Sequence, residues 1–170
     1  TDISDTVTRL SVEASLPVWL IETLINQNGE TKTRQIVATI NDAPSQSVRV
    51  NTTLTNDNEV KAALEAENFT AIASKVAAHA FVVNGGHVAS SKAYQDGLVT
   101  IQDESAMLPV ESLQLTENVK NILDAAAAPG GKTTQIAQYI ADDAKVLALD
   151  IHEHKIKLIQ HNAERMHLSD

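Results

Sequence analysis

The segment that most constrains this chain is an apolar stretch that ends in an aspartate and continues into a glycine-rich turn. It reads Asn121-Ile-Leu-Asp-Ala-Ala-Ala-Ala-Pro-Gly-Gly-Lys-Thr-Thr, and a helical pattern follows to Ile140. A second apolar stretch, Lys145-Val-Leu-Ala-Leu-Asp150, then leads into another helical pattern that extends to about Met166. This order of strand, glycine turn, helix, strand and helix predicts the start of a doubly wound, Rossmann-like parallel α/β sheet.

The same segment predicts a ligand at the carboxyl edge of that sheet. The Pro129-Gly130-Gly131 turn lets the backbone approach a ligand closely, because glycine has no Cβ. A helix opening at Lys132 presents unpaired N–H groups, which favour an anionic or carboxylate-bearing group. Asp150 ends the second strand, where a carboxylate can accept both hydroxyls of a ribose. Together these features predict a nucleoside that carries a charged end.

Three ligands compete for this arrangement. A phosphate-loop nucleotide hydrolase requires a glycine where this chain has Ala126, so Gly131-Lys132-Thr133 is only a partial match. A dinucleotide dehydrogenase requires Gly-x-Gly-x-x-Gly, and that spacing is absent from the sequence. S-adenosylmethionine, with an amino-acid end and a ribose, fits best. A tight turn that binds no ligand is the remaining alternative.

Two further segments are predicted upstream. Residues 1–43 form a helical segment in which Ser15 begins a helix, Asn28-Gly29 closes it, and Pro44 ends a second one. Residues 44–113 form a small α+β domain, and residues 114–170 begin the Rossmann-like domain. Within the α+β domain, alternation from Ser47 predicts a strand, Asn56 with Glu59 predicts a helix start, and Asp103 caps a helix that Pro109 kinks or shortens.

Composition excludes several classes of site. The 170 residues contain no cysteine, so they hold no disulfide, no Cys-ligated metal and no thiol nucleophile. Thirteen basic and 22 acidic residues give a net charge of −9, the opposite of the usual nucleic-acid binder. RNA affinity therefore requires a local patch or further chain. No apolar run of about 18 residues is present, so we expect a soluble, cytoplasmic protein without a membrane span.

The stretch Asp124–Thr134 resembles the cofactor motif of the Sun/Fmu-type rRNA cytosine-5 methyltransferases, relatives of the Nop2/Sun proteins. Upstream segments resemble the same family in the same order: Ser15-Leu-Pro-Val-Trp19 with Asn28-Gly29, Arg49-Val-Asn51-Thr52, and Gly97-Leu-Val-Thr-Ile-Gln102-Asp103-Glu104-Ser105. These ordered matches cover nearly the whole chain. Family members often have a cysteine where this chain has Ala126, and another small residue there should still pack under the cofactor.

The resemblance implies an S-adenosylmethionine-dependent enzyme that methylates RNA, specifically cytosine of small-subunit rRNA. The residues implied to hold the cofactor are Ala126, Ala127, Ala128, Pro129, Gly130, Gly131 and Lys132 at the methionine end and Asp150 at the ribose. The α+β region would face RNA. The family's catalytic cysteines lie beyond the second strand–helix unit, so we expect this chain to be a fragment that is inactive alone. The alternatives are a non-catalytic nucleotide- or RNA-binding module and, more distantly, a nucleotide hydrolase.

Other polar residues invite competing interpretations. His152, His154, His161 and His167 cluster near the end of the chain, but they match no metal-ligand motif, and we predict a solvated helix face instead. Lys32, Arg34, Arg49 and Asn51 are candidates for RNA contact, with a solvated strand edge as the alternative. Trp19 is predicted to anchor the core. No metal site is expected.

Overall fold

A computed structural model of the chain describes residues 3–41 and 46–169. The chain divides into two compact units, residues 1–44 and residues 45–170. The predicted boundary between residues 113 and 114 lies inside the second unit and stays a prediction.

The first unit is built from helices. Helix α1, Thr6–Ala14, begins after Asp5, whose carboxylate accepts a hydrogen bond from the Thr8 N–H at 2.8 Å. Ser15 was predicted to begin a helix, and that prediction is wrong. Ser15 ends α1 in a left-handed conformation (φ 54°), and its N–H donates to carbonyls of the last turn. The Asp5 cap starts a helix earlier than predicted, so Ser15 falls at the end of that helix.

Helix α2, Val18–Thr39, is interrupted at Gly29, where φ is 77° and ψ is 162°. Because these angles are not helical, α2 consists of two helical parts joined at a kink, which confirms the predicted end at Asn28-Gly29. Pro44, predicted to end the second part, lies outside the described residues. The buried core of the unit is Leu10, Ala14, Ile21 and Val37. Trp19 is 64% exposed, so the prediction that it anchors the core is wrong.

The second unit begins with a four-stranded antiparallel sheet in the order β2-β3-β1-β4. Its strands are β1 (Gln46–Val50), β2 (Thr70–Ala73), β3 (Ala80–Asn84) and β4 (Val99–Ile101). On central strand β1, Val48 lies opposite Phe81 on one side and Ile101 on the other. The alternation that predicted a strand from Ser47 is therefore confirmed.

Three helices and a short 3-10 turn accompany this sheet: α3 (Asp57–Ala66), the turn Val88–Ser90, α4 (Lys92–Gln95) and α5 (Glu104–Ser112). Asn56 accepts a hydrogen bond from the Glu59 N–H at 3.1 Å, as its position before α3 predicts. Asp103 caps α5 through the Ser105 N–H at 2.9 Å. Helix α5 continues through Pro109, so the proline does not end it; removing one N–H leaves the remaining bonds of the helix in place.

One face of the four-stranded sheet packs on α3 and α4. The buried residues of this core are Val48, Val50, Val60, Leu64, Ala71, Phe81, Val83, Val88, Ala93 and Val99. Because these apolar side chains alternate with polar ones along β1, the opposite face of that strand presents Ser47 and Arg49. Both of these polar residues are nevertheless buried, and Arg49 is only 1% exposed.

A two-stranded parallel sheet follows. Strand β5 (Asn121–Asp124) pairs with β6 (Lys145–Ala148), and Asp124 lies opposite Ala148. Helix α6 (Gly131–Tyr139) connects the two strands, and helix α7 (Glu153–Arg165) follows β6. This arrangement confirms the predicted α/β start with strand, glycine turn, helix, strand and helix.

Candidate nucleoside-binding site

The turn between β5 and α6 brings the chain back over the end of its own strand. The peptide bond between Ala128 and Pro129 is cis, and Gly130 has φ 106°, a value that favours glycine. The Gly130 N–H donates to the Ala127 carbonyl at 2.7 Å, which closes the turn. A Cβ on Gly130 would lie 3.2 Å from the Cα of Ile159 on α7, so the site also requires glycine for close helix packing.

The structure brings the turn and Asp150 together. Asp150 lies two residues beyond the end of β6, and its Oδ2 accepts a hydrogen bond from the Ala128 N–H at 3.2 Å. Its Oδ1 accepts from the His152 N–H at 3.0 Å. The turn is held there by a further backbone bond from the Ala127 N–H to the Leu149 carbonyl at 2.9 Å. The glycine turn and Asp150, which α6 separates in the sequence, therefore lie together at the carboxyl edge of the two-stranded sheet.

The Asp150 carboxylate is poised to stay ionised. The hydrogen bond from the His152 N–H lowers the pKa of Asp150 below its usual value, and the Ala128 N–H and the nearby Lys155 act in the same direction. Each carboxylate oxygen can accept more than one hydrogen bond. Since each oxygen accepts one backbone N–H, lone pairs remain on both for the hydroxyls of a ribose.

The amino terminus of α6 supplies the other half of the site. Gly130 precedes the helix and offers no side-chain cap, so the first N–H groups of α6 have no partner from that residue. These groups carry a partial positive charge that favours a carboxylate. The Asp124 carboxylate accepts the Thr133 hydroxyl at 2.7 Å and the Ala126 N–H at 3.4 Å rather than an N–H of α6. The residues present therefore fit a ligand with a carboxylate and a ribose.

Two residues predicted as RNA contacts serve another purpose. Arg49 is buried, and it donates to Gln102, Thr134 and the Gly131 carbonyl. Asn51 is fully buried and donates to the carbonyls of Gly97 and Met166 at 3.0 and 2.8 Å. The prediction that Arg49 and Asn51 contact RNA is therefore wrong. Alternation along the strand placed them on its polar face, but only the fold shows that α6 and α7 cover that face.

Arg165 provides a second buried connection between the four-stranded sheet and α7. Its guanidinium donates to the carbonyls of Tyr94 and Val99 at 2.6 and 3.0 Å and to the Thr100 hydroxyl at 3.0 Å. It also lies 3.8 Å above the centre of the Tyr94 ring. Gly97 permits this approach, because a Cβ there would come within 2.0 Å of the Arg165 carbonyl oxygen. Nothing in the sequence pattern singled out this cluster.

The four histidines near the end of the chain lie on α7 or directly beside it. His154 and His161 are exposed on α7, while Ile159 and Met166 are buried, which confirms the predicted solvated face. The rings of His152 and His154 lie 5.5 Å apart. Among the residues that the structure describes, no group of His, Asp and Glu side chains could hold a metal ion. Likewise, none of the helices in the described ranges combines the length and apolar character that crossing a bilayer requires.

A separate open cavity of about 620 Å³ lies at the other end of the two-stranded sheet, lined by Glu117, Asn118, Lys120, Tyr139, Ile140, Ala141 and Asp142. These residues precede β5, end α6 or connect α6 to β6, so they lie at the amino ends of the strands. Ligands of open α/β sheets bind at the carboxyl ends. The edge with Asp150 and the glycine turn therefore stays the candidate nucleoside site.

Two family models match the chain. Residues 16–89 match the ferredoxin-like domain of RsmF/B-like methyltransferases, and residues 110–170 match the 16S rRNA methyltransferase RsmB/F family. The predicted resemblance to Sun/Fmu-type methyltransferases is confirmed, as is the fold class: a ferredoxin-like α+β domain followed by the start of a methyltransferase domain.

Individual relatives agree with the family models. The chain is 35% identical over 167 residues to the probable ribosomal RNA small subunit methyltransferase B of Bacillus subtilis, which covers 98% of this chain and 37% of the relative. It is 30% identical over 162 residues to the corresponding Synechocystis protein, covering 94% of the chain and 36% of the relative. The chain thus spans little more than a third of these relatives' length.

Solved structures share the fold. The crystal structure of PH0851 superimposes with a TM-score of 0.86 at 26% identity, covering 99% of this chain and 38% of that one. A methyltransferase homologue from Pyrococcus horikoshii gives a TM-score of 0.84 at 23% identity, covering 98% and 54%. The arrangement of both sheets is therefore found in experimentally determined structures.

Proposed function

Because family models of RsmB/F-type methyltransferases match residues 16–89 and 110–170, we propose that this chain belongs to that family and forms the cofactor-binding part, with an RNA-facing domain, of an S-adenosylmethionine-dependent RNA cytosine-5 methyltransferase. In this proposal Ala126 to Lys132 hold the methionine end of the cofactor and Asp150 holds its ribose. The substrate is cytosine in small-subunit rRNA. The proposed location is the cytoplasm, because bacterial ribosomes are assembled in that compartment.

The observation that carries the proposal is the hydrogen bond between the Ala128 N–H and Asp150 Oδ2 at 3.2 Å. This bond holds the Asp150 carboxylate beside the turn that precedes the uncapped start of α6. A nucleoside with a carboxylate at its other end has complementary groups for both features. The bound cofactor supplies the methyl group as an electrophile, and this chain contributes the binding groups.

Methyl transfer to cytosine requires groups that this chain does not contain. The family uses one cysteine to activate the base and another to release the product, and these 170 residues contain no cysteine. We therefore expect the isolated chain to bind the cofactor and to methylate no RNA.

Calorimetric titration of S-adenosylmethionine into the chain, with Asp150→Ala as the test variant, examines the assignment. Removing the carboxylate deletes the hydrogen bonds to the ribose, and affinity should fall by at least about tenfold. Asp142→Ala is the matched control, because Asp142 lies at the opposite end of β6 and should leave affinity unchanged. Mg-ATP, titrated separately, should not bind.

Two outcomes would contradict the proposal. Equal weakening by both variants would remove Asp150 from the site. Tight Mg-ATP binding that depends on Lys132 and Thr133 would instead indicate a phosphate-binding loop.

A further inference from the structure

Arg49 is the largest fully buried side chain among the described residues, and it lies directly beneath the glycine turn. Its Nη2 donates to the Thr134 hydroxyl at 2.9 Å and to the Gly131 carbonyl at 3.3 Å, while its Nε donates to Gln102 at 2.9 Å. Thr134 and Gly131 both lie in the first turn of α6. Strand β1 of the four-stranded sheet therefore reaches the start of the helix that follows the candidate cofactor loop.

The charge of Arg49 is not neutralised by the protein around it. Among the described residues no carboxylate forms an ion pair with it, and its Nη1 is buried without a hydrogen-bond partner. Burial lowers the pKa of Arg49 to about 10, so the side chain is still a cation at neutral pH. A buried cation close to the positive end of a helix lowers the stability of the folded state. The position of Arg49 therefore calls for a functional explanation.

The contact with Gly131 controls the direction of a backbone donor. A peptide group is planar, so fixing the Gly131 carbonyl also fixes the Lys132 N–H on the other side of the same bond. The Lys132 N–H is one of the first donors of α6, and these have no partner within the helix. Because the C=O and N–H of a trans peptide point in opposite directions, holding the Gly131 carbonyl would keep the Lys132 N–H directed towards the loop.

We propose that Arg49 is a positioning residue that sets the first turn of α6 for the carboxylate end of the cofactor, so that the ferredoxin-like domain forms part of the cofactor site. This inference rests on the proposed function, which assigns the methionine end to this turn. It predicts that Arg49 affects ligands with a carboxylate much more than ligands without one.

Titrations with S-adenosylmethionine and with decarboxylated S-adenosylmethionine distinguish positioning from general stability. Arg49→Met should lower the affinity for S-adenosylmethionine by about tenfold or more and the affinity for the decarboxylated ligand by less than about threefold. Only S-adenosylmethionine has the carboxylate that uses the oriented donors. Arg49→Lys, which keeps the charge and one donor group, should recover part of the loss. A comparable loss for both ligands would overturn the proposal.

Thr100→Val is the matched control. Thr100 is a buried polar residue of the same sheet, and its hydroxyl accepts a hydrogen bond from Arg165 rather than contacting the turn. The variant should lower the resistance to denaturant without changing the ratio of the two affinities. If Thr100→Val changes the ratio of the two affinities as much as Arg49→Met does, then losing any buried polar group changes ligand preference. That result would overturn the assignment to Arg49.

Amide hydrogen exchange provides a second test that needs no ligand. The Thr134 N–H donates to the Gly130 carbonyl at 2.9 Å, and the Val60 N–H of α3 donates to the Asn56 carbonyl at 3.0 Å. In Arg49→Met the Thr134 amide should exchange at least about tenfold faster while the Val60 amide keeps its rate. Equal rates at Thr134 in both proteins would overturn the positioning role.

The two tests separate the inference from the proposed function. Failure of the unsubstituted chain to bind S-adenosylmethionine, together with a faster Thr134 amide in Arg49→Met, would refute the cofactor assignment and retain the role of Arg49 in the turn.

Discussion

The four-stranded sheet and the two-stranded sheet of the second unit differ in how completely they are covered. On central strand β1, four of the five residues are buried, because α3 and α4 pack on one face and polar groups of α6 meet the other. On β5 and β6, exposed and half-buried residues alternate, and Leu123 and Leu147 are 58% and 60% exposed. Parallel sheets are normally covered on both faces.

This difference separates the well-packed core of the unit from its candidate binding site. The four-stranded sheet supplies a closed core and a buried Arg49, whereas the two-stranded sheet supplies the Asp150 carboxylate and the glycine turn. The site residues are held to the better-packed sheet through α6 and α7, by side-chain bonds to backbone carbonyls. The stability of the site should therefore depend more on residues of the covered sheet than on the apolar residues of its own strands.

The largest expected effect compares one substitution in the two regions. Leu64→Ala removes a fully buried side chain and should lower the free energy of unfolding by about 2–5 kcal/mol. Leu147→Ala removes a side chain that is 60% exposed and should change it by less than about 0.5 kcal/mol. Urea denaturation monitored by circular dichroism measures both. Similar losses in the two variants would show that the outer face of β6 is covered in solution.

A smaller effect tests the turn itself. Gly130→Ala should destabilise the chain by about 1–3 kcal/mol, because its φ of 106° disfavours a side chain and the new Cβ would crowd α7. Gly131→Ala should be neutral within about 0.5 kcal/mol, since its Cβ would lie 3.7 Å from Gln102, an ordinary contact. Denaturation of the two variants under identical conditions gives the comparison. Equal effects would mean that the turn relaxes freely.

The smallest effect concerns pH. The folded pKa of Asp150 is lowered, chiefly by the His152 N–H, so the ionised carboxylate favours the folded state. This contribution is present above the unfolded pKa of about 4 and is lost as the pH falls through the lower folded pKa. Carbon NMR of the Asp150 carboxyl group should show a midpoint below that of a peptide spanning residues 147–154. Coinciding midpoints would contradict the two hydrogen bonds.

Local patterns predicted much of the fold. Asn56 and Asp103 start helices because a side-chain oxygen can satisfy a free N–H without help from distant residues. Gly29 breaks α2 because glycine readily takes a positive φ. Ser15 shows the limit of this reasoning: serine favours helix starts, but the earlier cap at Asp5 leaves Ser15 at the end of α1 in a left-handed conformation.

The sequence by itself determined several helix starts, turns and strands of this protein and predicted its ligand chemistry, because turns, caps and the glycine loop depend on neighbours along the chain. It placed Asp150 and the Pro129-Gly130-Gly131 turn at the ends of parallel strands, and the parallel sheet brings such ends together. Only the tertiary structure decided that Trp19 is exposed and that Arg49 and Asn51 are buried. The alternation of a strand assigns residues to faces, but whether a face meets solvent or another helix depends on packing between segments distant in the chain.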